Sequence, residues 1–413
     1  MRPFISAHAA HPDWRAALAL AAAQVDAGLA GRAQAEAPTL GLVYLSDAYA
    51  PHAQALLDAL RARWPGVAWA GGVGIGVAAS GVEYFDEPAL VLWLADWPRD
   101  QFRVFSGARP LAGGDAVAAL VHADPTTPDL GELLGELADR TRAGYLFGGL
   151  VASRQGQLHI ADGVWQGGLS GVAFGPGVGF VSRVTQGCQP LGPTHRITGG
   201  EQNLVHTLDG EPALAVLLRE LQISDLSDQR RVLPRLQATL AGLSDAGQDA
   251  GQDAGQDVGQ GAGQGAEPSV AAAPSARRSG QFGTEVRVRH LVGIDPGRGA
   301  VALADRIEPG MQLAFCGRDR VAARRDLVRI CSEIRDEVES GPTDSSAPAR
   351  MRGAIYISCS GRGGPHFGGP SAELQIIRHA LGDVPLAGFF AAGEIGHRQL
   401  LGYTGVLTVF VDR

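Results

Sequence analysis

Two apolar runs, residues 353–357 and 384–390, each end in a glycine-rich turn carrying polar groups, with one helix-like stretch between them. The first turn reads Ser358-Cys359-Ser360-Gly361-Arg362-Gly363-Gly364, the second Ala391-Ala392-Gly393-Glu394-Ile395-Gly396. Such runs read as buried strands, and the glycines let the backbone bend sharply where each one stops. In open α/β sheets, ligands bind at the carboxyl ends of strands. If these two strands are neighbours, a thiol, two hydroxyls, a guanidinium and a carboxyl group meet in one crevice.

The pattern has a counterpart near the amino terminus. Gly41-Leu42-Val43-Tyr44-Leu45-Ser46 matches Gly353-Ala354-Ile355-Tyr356-Ile357-Ser358 position for position, and Gly71 and Gly76 match Gly388 and Gly393. The expected fold class is α/β: two related α/β halves with mixed sheets, plus antiparallel hairpins in the glycine-punctuated middle of the chain. The halves are placed at residues 1–210 and 211–413. A low-complexity loop at about 242–280, built on repeats of Ala-Gly-Gln-Asp, interrupts the second; it has almost nothing to bury and is expected to be disordered. Leu327, Cys331, Ile334 and Val338 have the 4-3-4 spacing of a helix, which makes Cys331 a small core residue. In the amino-terminal copy Asp47 stands at Cys359, nothing matches Arg362, and Val77 stands at Glu394. A charged ligand site therefore belongs to the carboxyl-terminal half.

Composition narrows the function. The net charge of −8 gives no electrostatic case for nucleic acid or an anionic membrane. No run approaches the ~20 apolar residues of a membrane helix. His8, His11, Pro12, Asp13 and Arg15 break any signal peptide, so a cytoplasmic protein with reduced thiols is expected. Cys188, Cys316, Cys331 and Cys359 form no CxxC pair, which argues against a zinc site or a disulfide framework. Gly71 to Gly76 lacks the helix start and the acidic residue of a dinucleotide loop, and no Walker loop, GxSxG, HExxH or EF-hand occurs.

Gly293-Ile294-Asp295-Pro296, Phe315-Cys316-Gly317-Arg318-Asp319, the two turns above and Gly402-Tyr403-Thr404-Gly405 together resemble the FIST C domain. Phe147-Gly148-Gly149, Gln186-Gly187-Cys188-Gln189-Pro190-Leu191-Gly192-Pro193 and residues 198–212 resemble FIST N. The resemblance covers roughly residues 38 to 413 outside the low-complexity loop. It implies a sensory domain that binds a small ligand, amino acids among the candidates, and signals to a partner such as a histidine kinase or cyclase. It also implies a haem-binding gas sensor as an alternative. FIST N domains usually keep a Gly-Cys-Ser-Thr-like turn and a Gly-Glu where this chain has Gly71-Gly72-Val73-Gly74 and Gly76-Val77, so the resemblance carries no ligand contact over to these positions.

The candidate ligand-binding residues are Cys359, Ser360, Gly361, Arg362, Gly363, Gly393 and Glu394. Arg362 can clamp a carboxylate or phosphate, or pair with Glu394 to tie two loops together. With Glu394 holding an ammonium group, the pair suits a zwitterion such as an amino acid. Two alternatives remain: a thiol enzyme with Cys359 as nucleophile, and haem ligated by His366 or His397. No resident metal and no catalytic residue are expected in the ligand-binding reading. Deleting the loop at about 242–280 is expected to leave folding intact; a large loss of melting temperature would mean that the segment is structural.

Overall fold

The computed structural model describes residues 2–33, 36–114, 116–226, 228–245, 286–340 and 349–412. The chain divides into two compact units, one formed by Met1–Gly187 with Asp319–Arg413 and the other by Cys188–Arg318. These units and the sequence halves at residue 210 are different divisions of the chain.

In the first unit one pattern recurs three times. It begins with β1 (Ile5–Ala10), α1 (Trp14–Leu29), β2 (Leu40–Ser46), α2 (Ala53–Arg63) and β3 (Ala68–Gly74). The hairpin β4 (Gly76–Ala79) and β5 (Val82–Phe85) follows, then β6 (Ala89–Ala95). The second round is β7 (Phe102–Phe105), β8 (Ala118–Ala123), α3 (Leu130–Asp139) and β9 (Tyr145–Leu150). Its hairpin is β10 (Leu158–Ala161) and β11 (Val164–Gln166), and β12 (Leu169–Phe174) closes it. The third round opens with β13 (Gly179–Gln186), after which the second unit intervenes.

That unit contains β14 (Cys188–Pro190), β15 (His195–Glu201), β16 (Leu204–Leu208), β17 (Glu211–Pro212), α4 (Ala213–Glu220) and α5 (Gln229–Ala238). β18 (Thr239–Ser244), β19 (Arg287–Asp295), β20 (Ala300–Leu303) and β21 (Gln312–Arg318) complete it. β21 pairs with β18 as well as with β14 and β15, so the antiparallel strands close on themselves around Ile197, Val205, Leu243, Val301 and Phe315. Closure leaves few unpaired edges. Gly242, expected at the start of the low-complexity loop, lies within β18; residues 246–285 are outside the described residues.

The third round then resumes with α6 (Arg320–Ser340), β22 (Met351–Cys359), α7 (Ala372–Leu381), β23 (Leu386–Ala391), the hairpin β24 (Glu394–His397) and β25 (Gln399–Leu401), and β26 (Thr404–Val411). Leu327, Cys331, Ile334 and Val338 form the buried stripe of α6, as their spacing requires. Asp13 caps α1 by accepting from the Arg15 N–H at 3.0 Å. The fold is thus of the mixed α/β kind expected, with antiparallel hairpins and a closed antiparallel sheet, and the repetition extends to a third copy.

Each round builds one six-stranded sheet around a parallel pair: β2–β3, β8–β9 and β22–β23. The hairpin after each pair leaves its own sheet. β4–β5 joins β23, β10–β11 joins β3, and β24–β25 joins β9. The inner faces of all three sheets share one core that includes Leu42, Tyr44, Leu120, Phe147, Ile355 and Phe389.

A glycine marks the same place in every parallel pair. A Cβ on Gly71, Gly148 or Gly388 would stand 1.8, 2.0 or 1.7 Å from the carbonyl oxygen of Val43, Val121 or Tyr356. Val43 is therefore the counterpart of Tyr356, and the sequence match that set Tyr44 against Tyr356 is one residue out of register. A slip of one residue changes faces in a strand: Tyr44 lies in the shared core, whereas Tyr356 packs with α6 and α7 residues on the outer side. Gly388→Ala is expected to lower the melting temperature by several degrees, because backbone itself must move. Gly135→Ala, in α3 with nothing near its Cβ position, is expected to stabilise by about 0.5–1 kcal/mol. Denaturation curves of the two variants check this pairing of opposite signs.

Candidate functional site

β22 and β23 are parallel neighbours, with Cys359 opposite Ala391, so both glycine-rich turns leave the same end of one sheet. Ser358-Cys359 closes β22, and Arg362 N donates back to Cys359 O at 2.8 Å in the turn that follows. This turn carries Arg362 to the outer side of the sheet, where it is only 1% exposed.

Its partner is Glu373, from the first turn of α7, rather than Glu394. Arg362 Nε donates to Glu373 Oε1 at 3.0 Å, and Nη2 lies 2.9 Å from the same oxygen. The Tyr356 hydroxyl donates to Oε1 at 2.6 Å and the Ser358 hydroxyl to Oε2 at 3.0 Å. Three side chains from one strand and the turn after it thus converge on a buried carboxyl group carried by a helix. Breaking such a pair leaves an uncompensated charge and costs about 3–5 kcal/mol. Arg362→Ala is therefore expected to destabilise the fold as well as to alter the site.

Arg362 is still incompletely satisfied. Its Nη1 has no hydrogen-bond partner. A Cβ placed on Gly187 would lie 3.1 Å from Nη1, so the guanidinium points at the space that this glycine leaves open. The Phe367 ring lies 5.0 Å from the guanidinium carbon, a cation–π contact. Phe367 belongs to a 3-10 turn, Gly364–Phe367, anchored by a residue of another round. Glu83, on the exchanged hairpin strand β5, accepts from Gly364 N at 3.1 Å and Ser371 N at 2.8 Å.

Glu394 begins β24 and is fully buried. Its Oε2 accepts from Thr404 N at 3.1 Å and the Thr404 hydroxyl at 2.6 Å, while Oε1 has no hydrogen-bond partner. Burial pushes the Glu394 carboxyl up to about 8; the Thr404 hydrogen bonds and the Arg362 charge pull the other way. At neutral pH Glu394 is mainly a neutral acid, able to donate as well as accept. Burial, with the Glu394 carboxyl beside it, pushes the Cys359 thiol up to about 12. A thiol so held is a weak nucleophile at neutral pH, which counts against a thiol enzyme.

Of the other predicted residues, Ser360 N donates to Ala391 O at 2.8 Å and so ties the two turns together. Gly363 is packed where a Cβ would meet the Phe85 and Phe390 rings within 3 Å. Gly393 O accepts from Leu150 N at 2.8 Å. Gly361 is half-buried beside them. His366 is half-buried in the 3-10 turn with its ring 5.5 Å from Phe367. His397 is exposed at the end of β24, its ring edge-on to Tyr145 at 4.6 Å. Neither histidine is among the residues that line an open cleft at the start of α6, and no group of three His, Cys, Asp or Glu side chains among the described residues is placed to hold a metal ion.

Glu373 had no signal in the sequence, where an acid in a helix's first turn reads as a dipole contact. His122, the core counterpart of Tyr44 in the second sheet, was also not foreseen. Burial pushes it down to about 3, its Nε2 meets the Tyr44 hydroxyl at 3.1 Å, and its Nδ1 has no hydrogen-bond partner.

Comparison with known proteins agrees with the motifs. The FIST N domain model matches residues 39–211 and the FIST C domain model residues 256–397. The chain belongs to the FIST domain family, whose domains are sensory modules of signal transduction. It is 31% identical over 425 residues, 97% of each chain, to the uncharacterized protein Rv0628c of Mycobacterium tuberculosis. It is equally similar over 421 residues, again 97% of each chain, to the uncharacterized protein Mb0898c of Mycobacterium bovis. No helix among the described residues is long and apolar enough to cross a membrane.

Between the usual carboxylate range and about pH 8, folded Glu394 keeps a proton that the unfolded chain releases. The folded state then binds more protons, and its stability falls as pH rises through that window. The melting temperature of the wild type, taken relative to Glu394→Gln, is expected to decline between about pH 5 and pH 9. A constant difference across that range would show that Glu394 ionises normally.

Proposed function

We propose that this protein is a cytoplasmic, non-catalytic sensor. Its small ligand is read by Arg362 and Glu394 where β22 and β24 leave their sheets. One observation carries the reading: Arg362 Nη1 and Glu394 Oε1 are both buried and both lack a hydrogen-bond partner. A buried polar atom left unpaired costs about 1–3 kcal/mol, and a ligand carrying the complementary groups removes that cost. A carboxylate suits Nη1. An ammonium group suits Glu394, whose proton it would displace, since a positive charge at that distance favours the ionised form. Small amino acids combine the two.

Access requires the 3-10 turn Gly364–Phe367 to move, and its anchor on Glu83 gives the sensor two positions to exchange. Ligand binding is thereby felt at the surface, where a signalling partner such as a histidine kinase or cyclase reads it. Ser360, Gly361, Gly363 and Gly393 shape the turns, and Cys359 is a small wall residue.

The test is calorimetry near pH 7 with glycine, alanine, glutamate, acetate and succinate, in buffers of differing ionisation heat. Amino acids are expected to bind with proton release, and Glu394→Gln to weaken them by about tenfold or more while sparing plain carboxylates. Failure of every compound to bind at about 10 mM, or unchanged amino-acid affinity in Glu394→Gln, would refute the assignment.

A further inference from the structure

We propose that an open cleft along the first turns of α6 is a second binding site, one for an organic phosphate. The cleft holds about 670 Å³ and is lined by Arg320, Val321, Arg324, Arg325, Val328 and Gly368. That volume falls within the range of small-molecule sites, roughly 300–1,000 Å³.

Three guanidinium groups line this space, and none has a carboxylate partner among the described residues. The nearby acids are committed elsewhere. Asp319 Oδ1 accepts from Ala322 N at 2.6 Å. Asp326 accepts from Gln186 N at 2.7 Å and from Arg329 Nε at 2.8 Å. The arginines therefore face the cleft with their charge unneutralised, in a chain whose net charge is −8.

Gly368 provides the second, independent observation. Its φ is +101°, and a Cβ there would lie 3.6 Å from Arg320 Nη1 and 3.7 Å from Arg324 Nη1. Two guanidinium groups thus bracket one vacant side-chain position. A phosphate group seated there meets both, and planar guanidinium forks match its oxygens. Val321 and Val328, 69% and 47% exposed, supply an apolar wall on the same helix. This pairing of cations with exposed valines favours a phosphate carrying an apolar or aromatic body over a bare inorganic ion.

The cleft also touches the segment that covers Arg362. Arg324 Nη1 donates to Phe367 O at 3.2 Å, and the Phe367 ring rests on the Arg362 guanidinium. An anion drawn to Arg324 competes for the group that holds Phe367, so occupancy of the cleft loosens the cover of the buried site.

The experiment uses the full chain with ATP, pyrophosphate, adenosine and a poly-glutamate peptide as probes, titrated by calorimetry at low salt. ATP is expected to bind more tightly than pyrophosphate and adenosine to bind weakly. The double charge reversal Arg320→Glu with Arg324→Glu should weaken ATP by at least about tenfold, and added salt should weaken it in the wild type. Arg103→Glu, a charge reversal on the exposed side of β7 away from the cleft, should have no effect. Glu394→Gln should keep ATP binding, which separates this site from the amino-acid site whichever of the two fails. The proposal is overturned if neither phosphate binds at about 5 mM, if Arg103→Glu weakens ATP as much as the double reversal, or if only the peptide binds.

Discussion

Every sheet in the larger unit is completed by a hairpin that belongs to another round of the chain. β4–β5, β10–β11 and β24–β25 each leave the parallel pair they follow and extend another round's sheet. This exchange turns the three inner faces onto one core, and no sheet has its full width without a neighbour's strands. The glycines at 71, 148 and 388 are the local condition for it, because they let backbone approach carbonyl where a side chain could not fit.

The same exchange assembles the candidate site. Glu394 stands on the hairpin given by the third round to the second sheet, and Glu83 on the hairpin given by the first round to the third. Arg362 and Glu373 belong to the third round itself. The polar cluster therefore draws on two sheets and on the first and third rounds, while its central ion pair is local to β22, its turn and α7. Equivalent register positions show how differently the rounds have specialised. Glu394, His159 and Val77 each lie opposite the residue that follows the close-approach glycine. One is an acid raised by burial, one a buried histidine bonded to Ser170, and one an ordinary core residue.

Where local chemistry decides, the sequence was a good guide. The stripe from Leu327 to Val338 predicts α6, and the two glycine-rich turns do leave the ends of parallel neighbours. The match of Gly71 with Gly388 also survives in the register. What could not be read depends on distant pairing. The middle round was hidden because β8, α3 and β9 keep the strand–helix–strand pattern but share few side chains with the other copies. The one-residue error between Tyr44 and Tyr356 arose because similarity of letters does not report which face of a strand a residue takes. Arg362 was recognised and its partner was not, since Glu373 becomes an inward-facing acid only when α7 packs over β22.

The position of β26 has a consequence for how the protein comes to be made. It lies between β13 and β22, with the inserted unit separating those two in sequence. During synthesis β13 emerges long before β26, the strand it pairs with, and more than a hundred further residues are added in between. The third sheet reaches its full width only once β26 has been made. The inserted unit, closed on itself, can fold during that interval. The sheet whose pairing spans the inserted unit is thus the one that carries the buried Arg362–Glu373 pair.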